Sequence, residues 1–457
     1  MFLAVVSIFL RFYHLENRGF YLPDEGVFAI QASSHAALPS ILYHHFLDGV
    51  PLSELRERYL PFGYNQETNG RPAYIYLLMF TFFINNSDYS AFVLNAFLSI
   101  ITIGCLYFMA KKMFGEKTAM ISSLLLSLSP YYLNYSRANL AQLAASLFLL
   151  LGVYLYRTSE KKLWSGIIFG VSIGTHYLMI FPIGFFLAWH LFYGEKRIRR
   201  VLLGTLIPLA TFEFLSLAKI FFTYKAGTYQ YYDYFSEFLL YYKGGFDVIN
   251  NVPWHLYLRL FMETDGVFVL ILFICGVFLM WKQKQTRDII IMTLASLFIF
   301  SLSKTKVSRT LVPFIPLMYL FAAYTLSKCR KEIIIMAVGV IAFTHIDGWI
   351  AIMNMTNPYK EAIPYIDCGI NSSIIAYYSS AKREDCSGPG MIPYDFTYWE
   401  THSYQEGQLN FRSTWSRLKI NLADRDRWAN RFDPPDFPII SLFHGGLPPE
   451  SFQNKLK

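Results

Sequence analysis

Residues 89–110 read Tyr-Ser-Ala-Phe-Val-Leu-Asn-Ala-Phe-Leu-Ser-Ile-Ile-Thr-Ile-Gly-Cys-Leu-Tyr-Phe-Met-Ala, and Lys111-Lys112 end the run. No charged side chain interrupts it. A helix of this length covers the hydrocarbon core of a bilayer, which needs about 20 apolar residues. Similar runs fall near 1–13, 118–135, 139–156, 163–176, 177–193, 200–221, 265–281, 288–303, 310–327 and 332–353, and a shorter one at 73–84. The whole chain carries the same signature. It is 54% hydrophobic and 16% charged over 457 residues, with a mean hydropathy of +0.32, whereas a soluble domain carries about 25% charged residues. Its 42 Phe and 33 Tyr suit the aromatic belts of a membrane protein.

The net charge of +8 would fit a nucleic-acid partner if the basic residues formed one surface. They do not. They sit in short connectors between apolar runs: Lys111-Lys112 with Lys117, Arg157 with Lys161-Lys162, Lys196 to Arg200, Lys282 to Arg287, and Lys328 to Lys331. Cytoplasmic membrane loops have this pattern, so no nucleic acid is expected and the lipid bilayer is the partner. All five connectors share one side if 73–84 does not cross, which makes that run a re-entrant or interfacial helix. The expected topology is about eleven spans, N-terminus inside and C-terminus outside. No cleavable signal peptide is expected, since the first segment lacks a basic start and a small-residue cleavage site.

Against this background the outward-facing charges stand out. Pro23-Asp24-Glu25 follows the first apolar run, and charge at a bilayer boundary is expensive unless water, a cation or chemistry uses it. The plainer reading is a helix N-terminus with acids near the dipole, which is compatible with chemistry at a neighbouring residue. On the same expected side lie Arg71, Arg137 and a basic group, Lys304, Lys306 and Arg309, that breaks the positive-inside pattern. Cations gathered there beside acids predict an anion site; the alternative is anchoring to anionic headgroups. His176 and Tyr177 sit at an outer hairpin, as a weaker substrate-contact candidate or as an interfacial pair. The His44-His45 pair lacks a partner spacing for a metal, so no metal site and no certain cofactor are indicated, and a divalent cation stays open without a motif that calls for it.

The domains expected are 1–353, the membrane part, with a first outer loop over 14–88, and 354–457, a small extracytoplasmic α/β or irregular domain. Within the latter, Pro358–Ile366 reads as a helix and Ser373–Tyr378 and Pro438–Phe443 as strands. Cys368 and Cys386 could pair, or stay free, if this part is extracytoplasmic.

Four segments carry a family resemblance. They are Leu10-Arg11-Phe12 followed by Pro23-Asp24-Glu25; Arg71-Pro72-Ala73-Tyr74-Ile75-Tyr76; Leu128-Ser129-Pro130 through Tyr135-Ser136-Arg137; and Ser308-Arg309-Thr310-Leu311-Val312-Pro313-Phe314-Ile315-Pro316. In this order, over roughly residues 1–330, the chain resembles the polytopic GT-C glycosyltransferases, the group around the protein O-mannosyltransferases and the lipid A aminoarabinose transferase. It departs where that group has an Asp five residues after the arginine, for here stands Gln142, and where it more often has Lys than Arg71.

The resemblance implies a multi-pass enzyme that moves a sugar, of hexosyl or mannosyl type, from a dolichyl or undecaprenyl monophosphate to a protein, lipid or glycan acceptor. The site would face the extracytoplasmic side, of a prokaryotic plasma membrane in preference to an ER membrane. Asp24 would be the base and Glu25 would orient the acceptor or hold a cation. Arg71, Arg137, Lys304, Lys306 and Arg309 would bind the donor phosphate. A single carboxylate base implies inversion. Two other readings are a transporter or flippase without covalent chemistry, disfavoured because the charges lie in outer loops and no repeat is visible, and an inactive glycosyltransferase-like subunit, which Gln142 makes conceivable.

Overall fold

The computed structural model describes residues 2–18, 23–59, 71–84, 88–193, 195, 197–223, 254–303, 306 and 308–355. These form a helical bundle with no strand among the described residues. Its helices are α1 (Phe2–Phe12), α2 (Pro23–Phe46), α3 (Leu52–Tyr59), α4 (Pro72–Ile84), α5 (Asp88–Phe114), α6 (Glu116–Leu128), α7 (Pro130–Ser136) and α8 (Ala141–Thr158). The chain continues through α9 (Lys162–Thr175), α10 (Ile180–Phe192), α11 (Ile198–Thr223), α12 (Leu256–Asp265), α13 (Val267–Trp281), α14 (Arg287–Leu302), α15 (Ile315–Ser327) and α16 (Lys331–Met353). The expected helix and strands after residue 357 and the Cys368–Cys386 pair lie outside the described residues, as does Lys304.

Every apolar run of the sequence coincides with helix. Five helical stretches are long and apolar enough to cross a bilayer: Tyr89–Phe114, Ala141–Thr158, Lys284–Leu302, Ser308–Ser327 and Lys331–Met353. Outer faces carry what lipid requires, since large apolar side chains such as Phe298 (64% exposed) on Lys284–Leu302 and Phe343 (76%) on Lys331–Met353 point away from the bundle. The run at 73–84 forms α4, whose 13 residues make a helix of only about 20 Å. It packs on α2, where Phe28 meets Tyr74 edge to face, and on α9, where Gly174 faces Ala73.

Close helix approach is set by small residues. Gly166 and Gly170 lie four apart on one face of α9, and a Cβ added at Gly166 would stand 2.1 Å from the Val201 carbonyl oxygen of α11. On α11, Gly204 meets the Leu163 carbonyl in the same way. In lipid, where apolar side chains gain nothing from leaving the solvent, such backbone proximity supplies the dispersion energy that holds helices together.

One run that reads as a single span is broken, and a second helix boundary stands at the start of the run 265–281. The run 118–135 breaks at Ser129, whose side chain accepts from the Tyr132 amide at 3.0 Å while Pro130 occupies the first helical turn. The region at 265 breaks at Gly266, whose φ of +90° needs glycine. Buried Asp265 ties the breaks together. It accepts from Ser129 Oγ at 2.5 Å, Tyr319 OH at 2.5 Å and Thr264 Oγ1 at 2.8 Å. A carboxylate so placed is tolerable in the membrane only with that full set of donors.

The connectors with the basic clusters are also pinned. Arg157 pairs with Asp288, and His190 stands 3.0 Å from the same carboxylate through Nε2 and 2.8 Å from Glu195 through Nδ1.

Candidate active site

The site begins at the N-terminus of α2. Pro23 opens the helix and places Asp24 and Glu25 in its first turn. The Asp24 side chain lies outside the described ones. Glu25 is fully buried, and its Oε1 accepts from Arg18 Nη1 at 2.7 Å and from the Asn139 backbone amide at 2.8 Å. Arg18, itself 3% exposed, also lies over the Phe92 ring at 5.0 Å. Burying a carboxylate costs several kcal/mol unless it is paired and hydrogen-bonded, and here both conditions are met.

Asn139 belongs to the irregular link between α7 and α8, which three side chains immobilise. The Asn139 side-chain amide donates to the Glu25 carbonyl at 2.6 Å, and its oxygen accepts from Tyr74 OH at 2.6 Å. Tyr74 OH in turn accepts from Asn95 Nδ2 at 2.9 Å, and the same amide donates to the Ala138 and Leu140 carbonyls. Helices α2, α4, α5 and the α7–α8 link are thereby locked at one point.

Arg71 precedes α4, 7% exposed, with its guanidinium 4.9 Å from the Phe28 ring and 5.8 Å from the Tyr177 ring. Among the described residues this guanidinium has no carboxylate partner, and its Nε bonds to nothing. Arg309 is buried in the 3-10 turn Ser308–Phe314 that leads into α15. That turn is held by Tyr131 OH, which donates to the Ser308 carbonyl, and by Tyr135 OH, 2.7 Å from Ser308 Oγ. Arg71 lies against the Tyr177 ring beside His176, and the turn carrying Arg309 is fastened to Tyr135, two residues before the Arg137 that begins the link holding Glu25. Five separate elements therefore converge: the start of α2, the leader of α4, the α7–α8 link, the α9–α10 link and the turn before α15.

His176 is 3% exposed, ends α9 and caps the turn Tyr177–Met179, its Nδ1 accepting from the Leu178 amide at 3.3 Å. Its ring stacks on Tyr177 at 5.0 Å between centroids. Lys306 is 5% exposed and donates from Nζ to the Ser303 carbonyl at 2.6 Å. Burial pushes its ammonium below the usual lysine range.

Arg137 is used differently from the expectation. Fully buried, its Nη1 donates to the carbonyls of Leu10, Arg11 and Tyr13 at 3.1, 3.2 and 2.8 Å, and Nη2 to that of Met353 at 3.3 Å. The side chain thus closes the C-terminal ends of α1 and α16, whose last carbonyls need donors. Arg18 and Asn139 had no sequence signal marking them, and Tyr74 and Ser308 stood out only as members of their motifs, because each matters through a partner that the fold brings to it. Among the described residues no three His, Cys, Asp or Glu side chains gather as a metal set.

The comparisons agree with this architecture. Residues 71–218 match the family model of dolichyl-phosphate-mannose-protein mannosyltransferases. The structure of ArnT from Cupriavidus metallidurans bound to undecaprenyl phosphate superposes with a TM-score of 0.54 at 14% identity, covering 96% of this chain and 80% of that one. The oligosaccharyltransferase of Archaeoglobus fulgidus in complex with zinc and sulfate gives 0.52 at 14% identity, over 88% of this chain and 61% of that one. The archaeal oligosaccharyltransferase AglB, in complex with an inhibitory peptide and a dolichol-phosphate, gives 0.50 at 11% identity, over 88% and 63%. No curated protein sequence is significantly similar to the chain. The chain is an integral membrane protein with the GT-C fold, as its four motifs implied.

Proposed function

We propose that this chain transfers a sugar from a polyprenyl monophosphate to a protein, lipid or glycan acceptor at the extracytoplasmic face of the membrane. The observation that carries the reading is the convergence of buried Arg71, set against Phe28 of α2 and Tyr177, with the turn that holds buried Arg309, fastened to α7 beside the link that Glu25 of α2 engages. Such a cluster has a use where negative charge grows on a leaving phosphate, because fixed cations in a low-dielectric site need no reorganisation as the charge develops. Likeness to a protein bound to undecaprenyl phosphate and to one bound to dolichol-phosphate points to the same class of donor.

In the proposed reaction the donor phosphodiester lies against Arg71 and Arg309, with Lys306 and Lys304 completing the cationic group. Asp24 takes the proton of the acceptor hydroxyl. The acceptor oxygen forms a bond to the anomeric carbon from the face opposite the phosphate. The bond from that carbon to the phosphate oxygen breaks, and the polyprenyl phosphate leaves with the electron pair. Configuration inverts because only one displacement occurs.

Glu25 is the positioning acid, since its Oε1 already serves Arg18 and the Asn139 amide. Asp24, its chain neighbour, is left for the proton. Arg137, committed to four carbonyls, has no part in donor binding in this reading. Mass spectrometry of lipid copurified with the full chain tests the donor class. A polyprenyl phosphate, with or without sugar, is expected at near-stoichiometric occupancy. Its absence, together with failure to bind added polyprenyl-phosphate sugar, would overturn the reading.

A further inference from the structure

The carbonyl of Leu128 ends α6 without the donor that a continuous helix would give it. That donor, the Tyr132 amide, is taken by the Ser129 side chain at 3.0 Å. A carbonyl so placed within a bilayer needs another partner. The last helix supplies it. Trp349 Nε1 of α16 donates to the Leu128 carbonyl at 2.8 Å, and His345 Nδ1 stands 3.1 Å from the same oxygen. The other ring nitrogen of His345 stands 3.1 Å from the Asp265 carbonyl, the last of α12. Gly348, one residue before Trp349, lets α16 lie against the ring of Pro130, the first residue of α7. A Cβ at Gly348 would meet Pro130 Cβ at 3.3 Å.

These contacts belong to a helix that otherwise faces lipid. Ile335, Met336, Val340, Phe343 and Ile350 are exposed, while the buried residues of α16 are Ala337, Ile341, His345 and Ile352. The hold of α16 on the bundle is thus concentrated at the start of α7. That same start supports the turn that carries Arg309. Tyr131, next to Pro130, donates its OH to the Ser308 carbonyl, and Tyr135 OH, one helical turn on, lies 2.7 Å from Ser308 Oγ. Any shift of Pro130 therefore moves the phenols that fix the residue before Arg309.

We infer that α16 is a positioning helix for the donor site: His345, Gly348 and Trp349 set the start of α7, and through Tyr131 and Tyr135 they set the place of Arg309. The inference rests on the donor-phosphate reading above, in which Arg309 lies against the phosphate. None of the three residues touches the donor. They act because a guanidinium bonds phosphate through directed N–H groups, whose attraction falls steeply once distance and angle are lost. A helix kept for stability alone would behave differently, since its variants would lower the melting temperature and leave the folded site as it was.

The test drives a wedge between the two helices in the purified full-length chain in lipid nanodiscs. Gly348→Leu places a side chain against Pro130, whose ring has no rotamer by which to step aside. Gly339→Leu is the control, the same side chain on the same helix where nothing lies within 4 Å of the Cβ position. Hydrogen exchange read by mass spectrometry should quicken at least about fivefold across residues 308–314 in Gly348→Leu and keep the wild-type rate in Gly339→Leu. Affinity of the folded protein for bare polyprenyl phosphate should fall about tenfold in the first and stay within about twofold in the second. Trp349→Phe, which keeps a ring and withdraws the donor, should weaken phosphate about threefold and quicken exchange in the same turn. The inference is overturned if Gly348→Leu melts lower yet keeps wild-type exchange at 308–314 and wild-type phosphate affinity. Equal losses in Gly339→Leu overturn it as well. Should Gly348→Leu not fold, Trp349→Phe decides by the same two readings, and wild-type values there overturn it. A wild type that binds no polyprenyl phosphate sinks the donor-phosphate reading instead, and the exchange at 308–314, which needs no ligand, still decides whether α16 positions that turn.

Discussion

Nη1 of Arg18 lies 2.7 Å from Oε1 of Glu25, with 4% and 0% of the two side chains exposed. The pair sits on a short stretch of chain, and through Asn139 it reaches the link between α7 and α8. An ion pair so enclosed stabilises little against an apolar pair of the same volume, yet removing one partner leaves a buried charge and costs about 3–5 kcal/mol. Arg18→Met is therefore expected to lower the melting temperature of the detergent-solubilised protein sharply. Arg18→Met combined with Glu25→Leu should recover a large part of that loss. If the double variant is no more stable than the single one, the buried pair is not what holds the start of α2.

Arg71 should matter for the phosphate and not for the sugar. Arg71→Ala removes a guanidinium that no described carboxylate neutralises, and it is expected to weaken bare polyprenyl phosphate binding about tenfold or more. Arg71→Lys keeps the charge and loses the planar fork, so an intermediate affinity is expected. Arg309→Ala should weaken donor binding in the same way. Titration of labelled polyprenyl phosphate into nanodiscs reads all three, and unchanged affinities would assign these cations to lipid headgroups instead.

Arg137 makes the opposite prediction. Its guanidinium joins the ends of α1 and α16 through the Tyr13 and Met353 carbonyls. Arg137→Lys offers fewer donors to four acceptors and should destabilise the fold by a few kcal/mol, on the order of 2. The folded fraction should retain wild-type affinity for polyprenyl phosphate. A selective loss of donor affinity without a change in melting would return Arg137 to the phosphate site.

The α9–α11 crossing offers a test of packing alone. A side chain at Gly166 would collide with the Val201 carbonyl, 2.1 Å from the position of its Cβ, and backbone cannot step aside. Gly166→Leu should be destabilised by several kcal/mol, about 3 or more, and aggregate on extraction. Gly184, with open space around its Cβ position, should accept alanine without loss of melting temperature.

The bundle was legible because lipid imposes its demands on sequence directly. A crossing helix must be apolar along its length, so runs such as 89–110 and 332–353 appear as α5 and α16 with little displacement. Helix interruptions were less visible. Ser129-Pro130 is a start signal, but unbroken hydropathy on both sides hid it inside a single run, whereas the boundary at Gly266 coincides with the start of the run 265–281. Arg71, Arg309 and His176 could be nominated because charge and imidazole are rare near a membrane. Arg18, Asn139 and Ser308 could not, since a pairing of Arg18 with Glu25 seven residues on, or of the other two with partners 114 and 173 residues away, leaves no periodic pattern. Arg137 was placed with the phosphate ligands on charge alone, and only the carbonyls around it reveal its employment.

Turnover in a defined system reaches the centre of the account. Purified full-length protein in nanodiscs, given radiolabelled polyprenyl-phosphate hexose and extracted native acceptor, should release free polyprenyl phosphate together with labelled acceptor. Asp24→Asn, folded and still binding donor, should slow that release by roughly 10²–10⁴-fold, the loss expected when a base is removed. Release by Asp24→Asn at the wild-type rate, or none by wild type with bound donor and acceptor, would contradict proton removal by Asp24 as the step that drives sugar transfer.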